Sequence, residues 1–233
     1  MATIINIETS SKICSVALTK DGVVEFQQED TEGMNHAIKL APFVERCMNE
    51  IKRKGDHLDA VAVSLGPGSY TGLRIGLSLA KGLAFSLDLP LIGISTLQIM
   101  AVKAMFRNMD WQGDEILVPM VDARRMEVFT AAIDFSLNEV ISEGPMILDE
   151  TSFSGLHSKR KVIFFGDGAE KFKGVYSGTN GEWIDNLMPH ARDMIALSEK
   201  YFRENRFLDI AYSTPNYLKE YQTTVPKNRV LNN

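Results

Sequence analysis

The chain has 233 residues, 45% hydrophobic and 24% charged, an ordinary globular balance that allows one large domain or two small lobes. A formal net charge of -5 argues against a protein that holds nucleic acid mainly through phosphates, though it leaves open a local basic patch or RNA contact through a partner. Met1 leads straight into a strand pattern with no signal-peptide character, and no apolar run reaches the length of a membrane span, so the expected compartment is the cytosol with no membrane contact.

Residues 3–8 alternate apolar and polar, with Ile5 and Ile7 on one face. Cys14, Val16 and Leu18 form a second alternation. After the turn Lys20-Asp21-Gly22, residues 23–28 read as a third strand, so the chain opens on a meander. Cys14 and Cys47 belong to no CxxC pair and read as buried, reduced thiols. Over 35–54, Ala37, Leu40, Ala41, Val44, Met48 and Ile51 recur at helical spacing, and Pro42 inside the pattern predicts a kink or a displaced start. Residues 59–65 form an apolar run suited to a strand covered on both faces. Residues 70–87 read as a second helix and 91–94 as a short strand, with Ser95 placed to cap a third helix that ends near Phe106.

The polar stretch 107–115, with Gly113, suits a boundary between lobes spanning 1–106 and 107–233. The second lobe reads as an eroded copy of the first. Strands are expected at 116–121, 127–133, 140–148 and 161–165, and helices at 149–157 and 191–205.

The sharpest motif is Gly66-Pro67-Gly68-Ser69-Tyr70-Thr71-Gly72-Leu73-Arg74-Ile75-Gly76, between a buried strand and a helix. Free N–H groups at a helix start can hold an anion. A phosphate loop nevertheless needs Lys followed by Ser or Thr after its glycines, where this chain has Leu73 and Arg74. The spacing of Gly66, Gly68 and Gly72 also departs from the dinucleotide fingerprint. In the helix, Leu73, Leu77, Ala80, Ala84 and Leu87 make one stripe, while Ile75, Leu79 and Gly82 lie elsewhere, leaving a narrow polar line of Arg74, Ser78 and Lys81. A helix apolar nearly all round needs cover on more than one face. It is either sandwiched inside its own domain or docked on another chain, and Gly72 and Gly76 would let a second helix come close.

Other candidates are weaker. Glu8, Thr9 and Ser10 place a carboxylate and hydroxyls in a hairpin, where they could hold a metal, orient a water or simply make a turn. Asp122 opens the matching hairpin of the second lobe, but Arg124, Arg125 and Met126 stand where a phosphate-wrapping turn would want glycine. Gly166 and Gly168 end a buried strand in a turn that could seat a flat nucleoside or merely join strand to helix. His36, His57, His157 and His190 are scattered, with no HExxH pair and no GxSxG elbow in the chain.

The glycine block, Ile7-Glu8-Thr9-Ser10, Cys14 to Leu18, Gly93 to Leu97, Asp122-Ala123-Arg124 with Glu127-Val128, and Pro215 with Tyr217-Leu218 together resemble the bacterial TsaB (YeaZ) proteins. The match is dense in the first half and only an outline from about 135 to 205. The resemblance implies an α/β, two-lobed actin-like (ribonuclease H-like) fold with a reduced second lobe. It implies a non-catalytic scaffold without a cofactor, pairing with a TsaD-like catalytic subunit and a TsaE-like ATPase. That complex adds a threonylcarbamoyl group to the adenosine beside the anticodon, so the chain would meet tRNA indirectly. It also implies a homodimer when the chain is alone. Glu8, Thr9, Ser10, Asp122, Gly166 and Gly168 would then line a vestigial cleft. On this reading the first two helices form the contact, through Tyr70, Leu73, Arg74, Leu77 and Lys81, with Val44 and Met48 nearby. The competing expectation is an ATP-dependent kinase or hydrolase using the cleft between the lobes.

Overall fold

A computed structural model of the protein describes residues 2–33, 35–107, 110–156 and 160–218; His157 and the end of the chain beyond 218 lie outside the described residues. The meander forms as β1 (Thr3–Glu8), β2 (Cys14–Lys20) and β3 (Val23–Asp30). α1 (His36–Lys54), β4 (Ala60–Gly66), α2 (Tyr70–Leu87), β5 (Leu91–Ser95) and α3 (Thr96–Met105) complete the first pass. The second pass contains β6 (Ile116–Asp122), β7 (Glu127–Ile133), β8 (Glu139–Ile147), β9 (Val162–Phe165), α4 (Ala169–Lys173), β10 (Gly181–Ile184) and α5 (Ile195–Arg203).

The two sheets have the same wiring. The first runs β3-β2-β1-β4-β5, and the second, read from its far edge, β8-β7-β6-β9-β10. In each, the meander pairs antiparallel, and the fourth and fifth strands join it in parallel. The helices between the parallel strands are long in the first lobe and nearly gone in the second, where α4 has five residues. This is the two-lobed, duplicated actin-like arrangement with a reduced second half.

Each sheet is covered on both faces. Ile5, Ile7, Val61 and Val63 pack under α1 and α2, while Ile4, Ala62, Ile92 and Ile94 pack under α3 and α5. Phe164, Phe172 and Phe153 fill the outer face of the second sheet, with ring centroids 5.2–5.7 Å apart. α3 is the helix sandwiched between lobes. Ile99 and Val102 face the first sheet, and Leu97, Met100 and Ala104 face the second. Both cysteines are buried and free, and burial pushes both thiols up to about 12. Among the described residues no helix is long and apolar enough to cross a membrane.

Several expectations are corrected. α1 starts at His36 and runs through Pro42, so the proline does not displace the start of the helix. Pro42 and Ile38, the residue whose carbonyl loses its N–H partner, are both exposed, so water can satisfy the group. Ser95 occupies the N-cap of α3 but makes no capping bond, because its hydroxyl donates to Glu143 Oε2 instead. The helix expected at 149–157 is an Asp149-centred turn followed by a single 3-10 turn, Ser154–Leu156. The helix expected from 191 opens as a 3-10 turn and becomes α-helical at Ile195. Residues 191–218, although they follow the 106/107 boundary, pack on the first sheet. Met194, Leu197 and Tyr201 join its inner core, Leu208 N–H donates to Leu91 O at 2.8 Å, and Asn216 N–H donates to Leu65 O at 2.8 Å.

Candidate functional site

The duplicated sheets leave a cleft of about 830 Å³ between the lobes. Ser10, Lys12, Ser69 and Thr71 line it from one side, and Asp122, Asp167 and Arg124 from the other. Its floor on the first lobe is the β1–β2 turn seated on the glycine block. Ser69 N–H donates to Ser10 O at 2.6 Å, and the Ser69 hydroxyl caps α2 by accepting from Gly72 N–H at 3.2 Å. A Cβ on Gly72 would lie 2.1 Å from Thr9 O, one on Gly76 2.2 Å from Thr9 Oγ1, and one on Gly68 2.2 Å from Ser10 O. The glycines of the motif are therefore occupied by the hairpin in front of them.

Glu8 is fully buried beneath this turn. Its Oε1 accepts from Ser10 N–H at 2.6 Å, and its Oε2 has no partner among the described residues. Burial pushes its carboxyl up to about 7, against the opposing pull of the Ser10 N–H bond. Thr9 and Ser10 are buried as well, each with a hydroxyl oxygen left unpartnered. Glu8 and Thr9 thus form the floor under the cleft, and only Ser10 of the three lines it.

The second hairpin is also closed on itself. Arg124 and Arg125 both take the left-handed conformation, with φ of 71° and 49°, which costs on the order of 1 kcal/mol each for a side chain of this kind. Lys171 from α4 reaches under the turn. Its Nζ donates to Arg125 O at 2.9 Å, to Glu127 O and to the Asp122 carboxylate. Asp167 Oδ1 accepts from Asp122 N–H at 2.9 Å, and burial raises the Asp167 carboxyl above the usual range. Gly166 and Gly168 sit where a Cβ would collide with Met120 O and Val128 Cγ1, so both permit strand-to-hairpin packing. Sequence reading did not single out Lys171, because a lysine in a short amphipathic helix carries no periodic or motif signal. Among the described residues, no group of three or more His, Cys, Asp and Glu side chains stands ready to hold a metal ion.

Residues 30–227 match the profile of the family described as "TsaD: tRNA N6-adenosine threonylcarbamoyltransferase". The tRNA threonylcarbamoyladenosine biosynthesis protein TsaB of Bacillus subtilis is 30% identical, over 93% of this chain and 94% of its own length. The Escherichia coli protein of the same name is 31% identical over the same shares. The chain belongs to the TsaB (YeaZ) family. The solved structure of YeaZ from Pseudomonas aeruginosa superposes with a TM-score of 0.77 at 25% identity, covering 93% of this chain and all of that one. A second Pseudomonas aeruginosa structure, described as similar to peptidase YEAZ, gives 0.80 at 26% identity, covering 94% of this chain and all of that one.

In this TsaB-family chain, the expected contact residues divide sharply. Leu73 is 1% exposed and Leu77 4%; Leu77 and Val44 belong to the core between the helices and the sheet, and Leu73 is buried against Gly66 at the edge of the cleft. Their stripe faces inward, so they are corrected from contact to core residues. Met48 is half-buried against the same core. Tyr70, Arg74 and Lys81 do lie on the outer side, where the chain's own C-terminal segment meets them. Tyr217 lies 4.9 Å from the Tyr70 ring and accepts from Arg74 Nε at 2.9 Å, and Lys81 Nζ donates to Ala211 O at 3.3 Å. The aliphatic and phenyl groups these helices leave most open to solvent are Ile38, 72% exposed, and Phe85, 79% exposed, with Leu87 at the end of α2 at 42%. Periodicity marked neither Ile38 nor Phe85, since both stand off the main stripes.

Proposed function

We propose that this chain is a non-catalytic partner subunit in the transfer of a threonylcarbamoyl group to the adenosine beside the anticodon of tRNAs. It pairs with a TsaD-like catalytic subunit and a TsaE-like ATPase, and pairs with itself when alone. The observation that carries the reading is the first-lobe floor of the cleft. The turn that would wrap a phosphate is filled by the protein's own Thr9 and Ser10. The second hairpin is plugged by Lys171 in the same way. By contrast, Ile38 and Phe85 stand in water on α1 and α2, and these are the points where a second polypeptide would gain by covering them.

The test is transfer activity of the catalytic subunit, reconstituted with this chain carrying Asp122→Asn and Asp167→Asn together. Transfer at the wild-type rate is expected, because neither carboxylate does chemistry. Loss of transfer from a complex that still assembles would overturn the reading. The open volume of the cleft is the feature that favours the other reading, a kinase or hydrolase that takes ATP between the lobes. Equilibrium titration of the isolated chain with ATP and Mg²⁺ separates them, since tight binding belongs only to the enzyme.

A further inference from the structure

On the side away from α1 and α2, a groove of about 790 Å³ lies where the end of α3 meets the start and end of α5. It is basic in a chain that is acidic overall. Lys103, Arg107, Arg192 and Arg203 line it, against Asp193 and Glu199. Asp193 is already engaged, accepting from Lys103 Nζ at 2.8 Å and from His190 N–H at 2.9 Å. Arg107 and Arg192 are exposed and make no ion pair among the described residues. Helix electrostatics account for Lys103 and Arg203, which lie in the last turns of α3 and α5. They do not account for Arg192, which stands at the opening of the 191–203 helical segment, where a cation is unfavourable. Burial holds Lys103 below its ordinary value, and the charges of Arg192 and Arg107 act in the same direction.

The groove has two further features. Phe106, at the end of α3, is 75% exposed and lines the groove together with Val102 and Ile195. Glu199 lies in its wall at 9% exposed, its Oε1 buried and without a partner among the described residues. Guanidinium groups for phosphates and an aromatic face for a base are together the complement of a ribonucleotide. Arg107 follows α3, while Arg192 and Arg203 stand at opposite ends of the 191–203 helical segment, so the charge is spread along the groove, which suits a strand with successive phosphates.

We infer that the groove between the end of α3 and α5 is a direct docking surface for a segment of RNA, its phosphates on Arg107 and Arg192 and one base on Phe106. This inference rests on the proposed role in tRNA modification, and it replaces indirect tRNA contact with a direct one.

The test uses the full chain and an unmodified tRNA transcript, followed by fluorescence anisotropy as a function of salt. The wild-type chain should bind at about 50 mM salt and lose affinity steeply as salt rises. Arg107→Ala with Arg192→Ala should weaken binding roughly tenfold or more and lower the salt slope by about two, roughly one for each phosphate that is no longer neutralised. Phe106→Ala alone should weaken binding roughly tenfold and leave the slope unchanged, since stacking carries no counterion release. No binding by the wild-type chain, or identical slopes for wild type and the double arginine variant, would overturn the inference. AMP competing as well as an oligoribonucleotide of equal phosphate concentration would overturn it in favour of a mononucleotide site. A double arginine variant that no longer binds the catalytic subunit would overturn it in favour of an acidic protein surface. Phe85→Glu is the separating control. It should release the catalytic subunit while leaving the chain's own RNA binding intact, so failure of the subunit reading and failure of the groove give different results.

Discussion

Glu8 shows what one buried group imposes on the fold. Its folded pKa of about 7 lies above the ordinary 4.5, so its stabilising contribution is fully present below pH 4.5 and is lost as pH rises through 7. Glu8→Gln keeps an acceptor for Ser10 N–H and removes the ionisation. It should match wild type at pH 4.5 and exceed it by about 3 kcal/mol well above pH 7, read from urea midpoints across that range. A difference that does not change with pH would mean that Glu8 does not titrate there. Gly72→Ala tests the neighbouring packing. Its Cβ has nowhere to go but into Thr9 O, so a loss of about 3 kcal/mol is expected, and an unchanged melting temperature would contradict the packing account. The sequence displayed Gly68, Gly72 and Gly76 plainly as a strand-to-helix junction. What it could not display was their neighbour, the turn at Thr9 and Ser10, because that contact joins positions far apart in the chain.

At the scale of elements, α2 is the instructive case. Its boundaries were legible at both ends, and the stripe of Leu73, Leu77, Ala80 and Ala84 was visible from period alone. Period says that a face is apolar but not which polypeptide covers it, and the chain's own sheet covers this one. The helix sandwiched between two sheets is α3. Leu73→Glu should therefore unfold the first lobe, by more than about 4 kcal/mol, rather than leave a folded monomer. Phe85→Glu should leave the melting curve within about 0.5 kcal/mol of wild type while weakening subunit association, which gel filtration reads directly. A folded Leu73→Glu chain would place that side chain back at the surface.

At the scale of the molecule, the duplication was legible as two meanders each followed by parallel strands, while its erosion hid α4 and β10. Both are too short to show a period, and β10, Gly181–Ile184, is half-buried along its length. The path of residues 206–218 was also invisible, because it is fixed by scattered polar contacts. Asn216 joins the lobes by donating to Glu143 Oε1 at 2.9 Å while its backbone N–H binds Leu65 O, and burial raises the Glu143 carboxyl. The C-terminal segment thus covers the Tyr70 edge of α2 and leaves the Phe85 end in water. The most direct measurement of the central claim is calorimetric titration of the TsaD-like catalytic subunit with this chain, alongside titration of the chain alone with ATP and Mg²⁺. The account predicts saturable association with the subunit, abolished in the Ile38→Glu and Phe85→Glu double variant, and no tight nucleotide binding. Tight ATP binding by the isolated chain, with association untouched by the double variant, would contradict it.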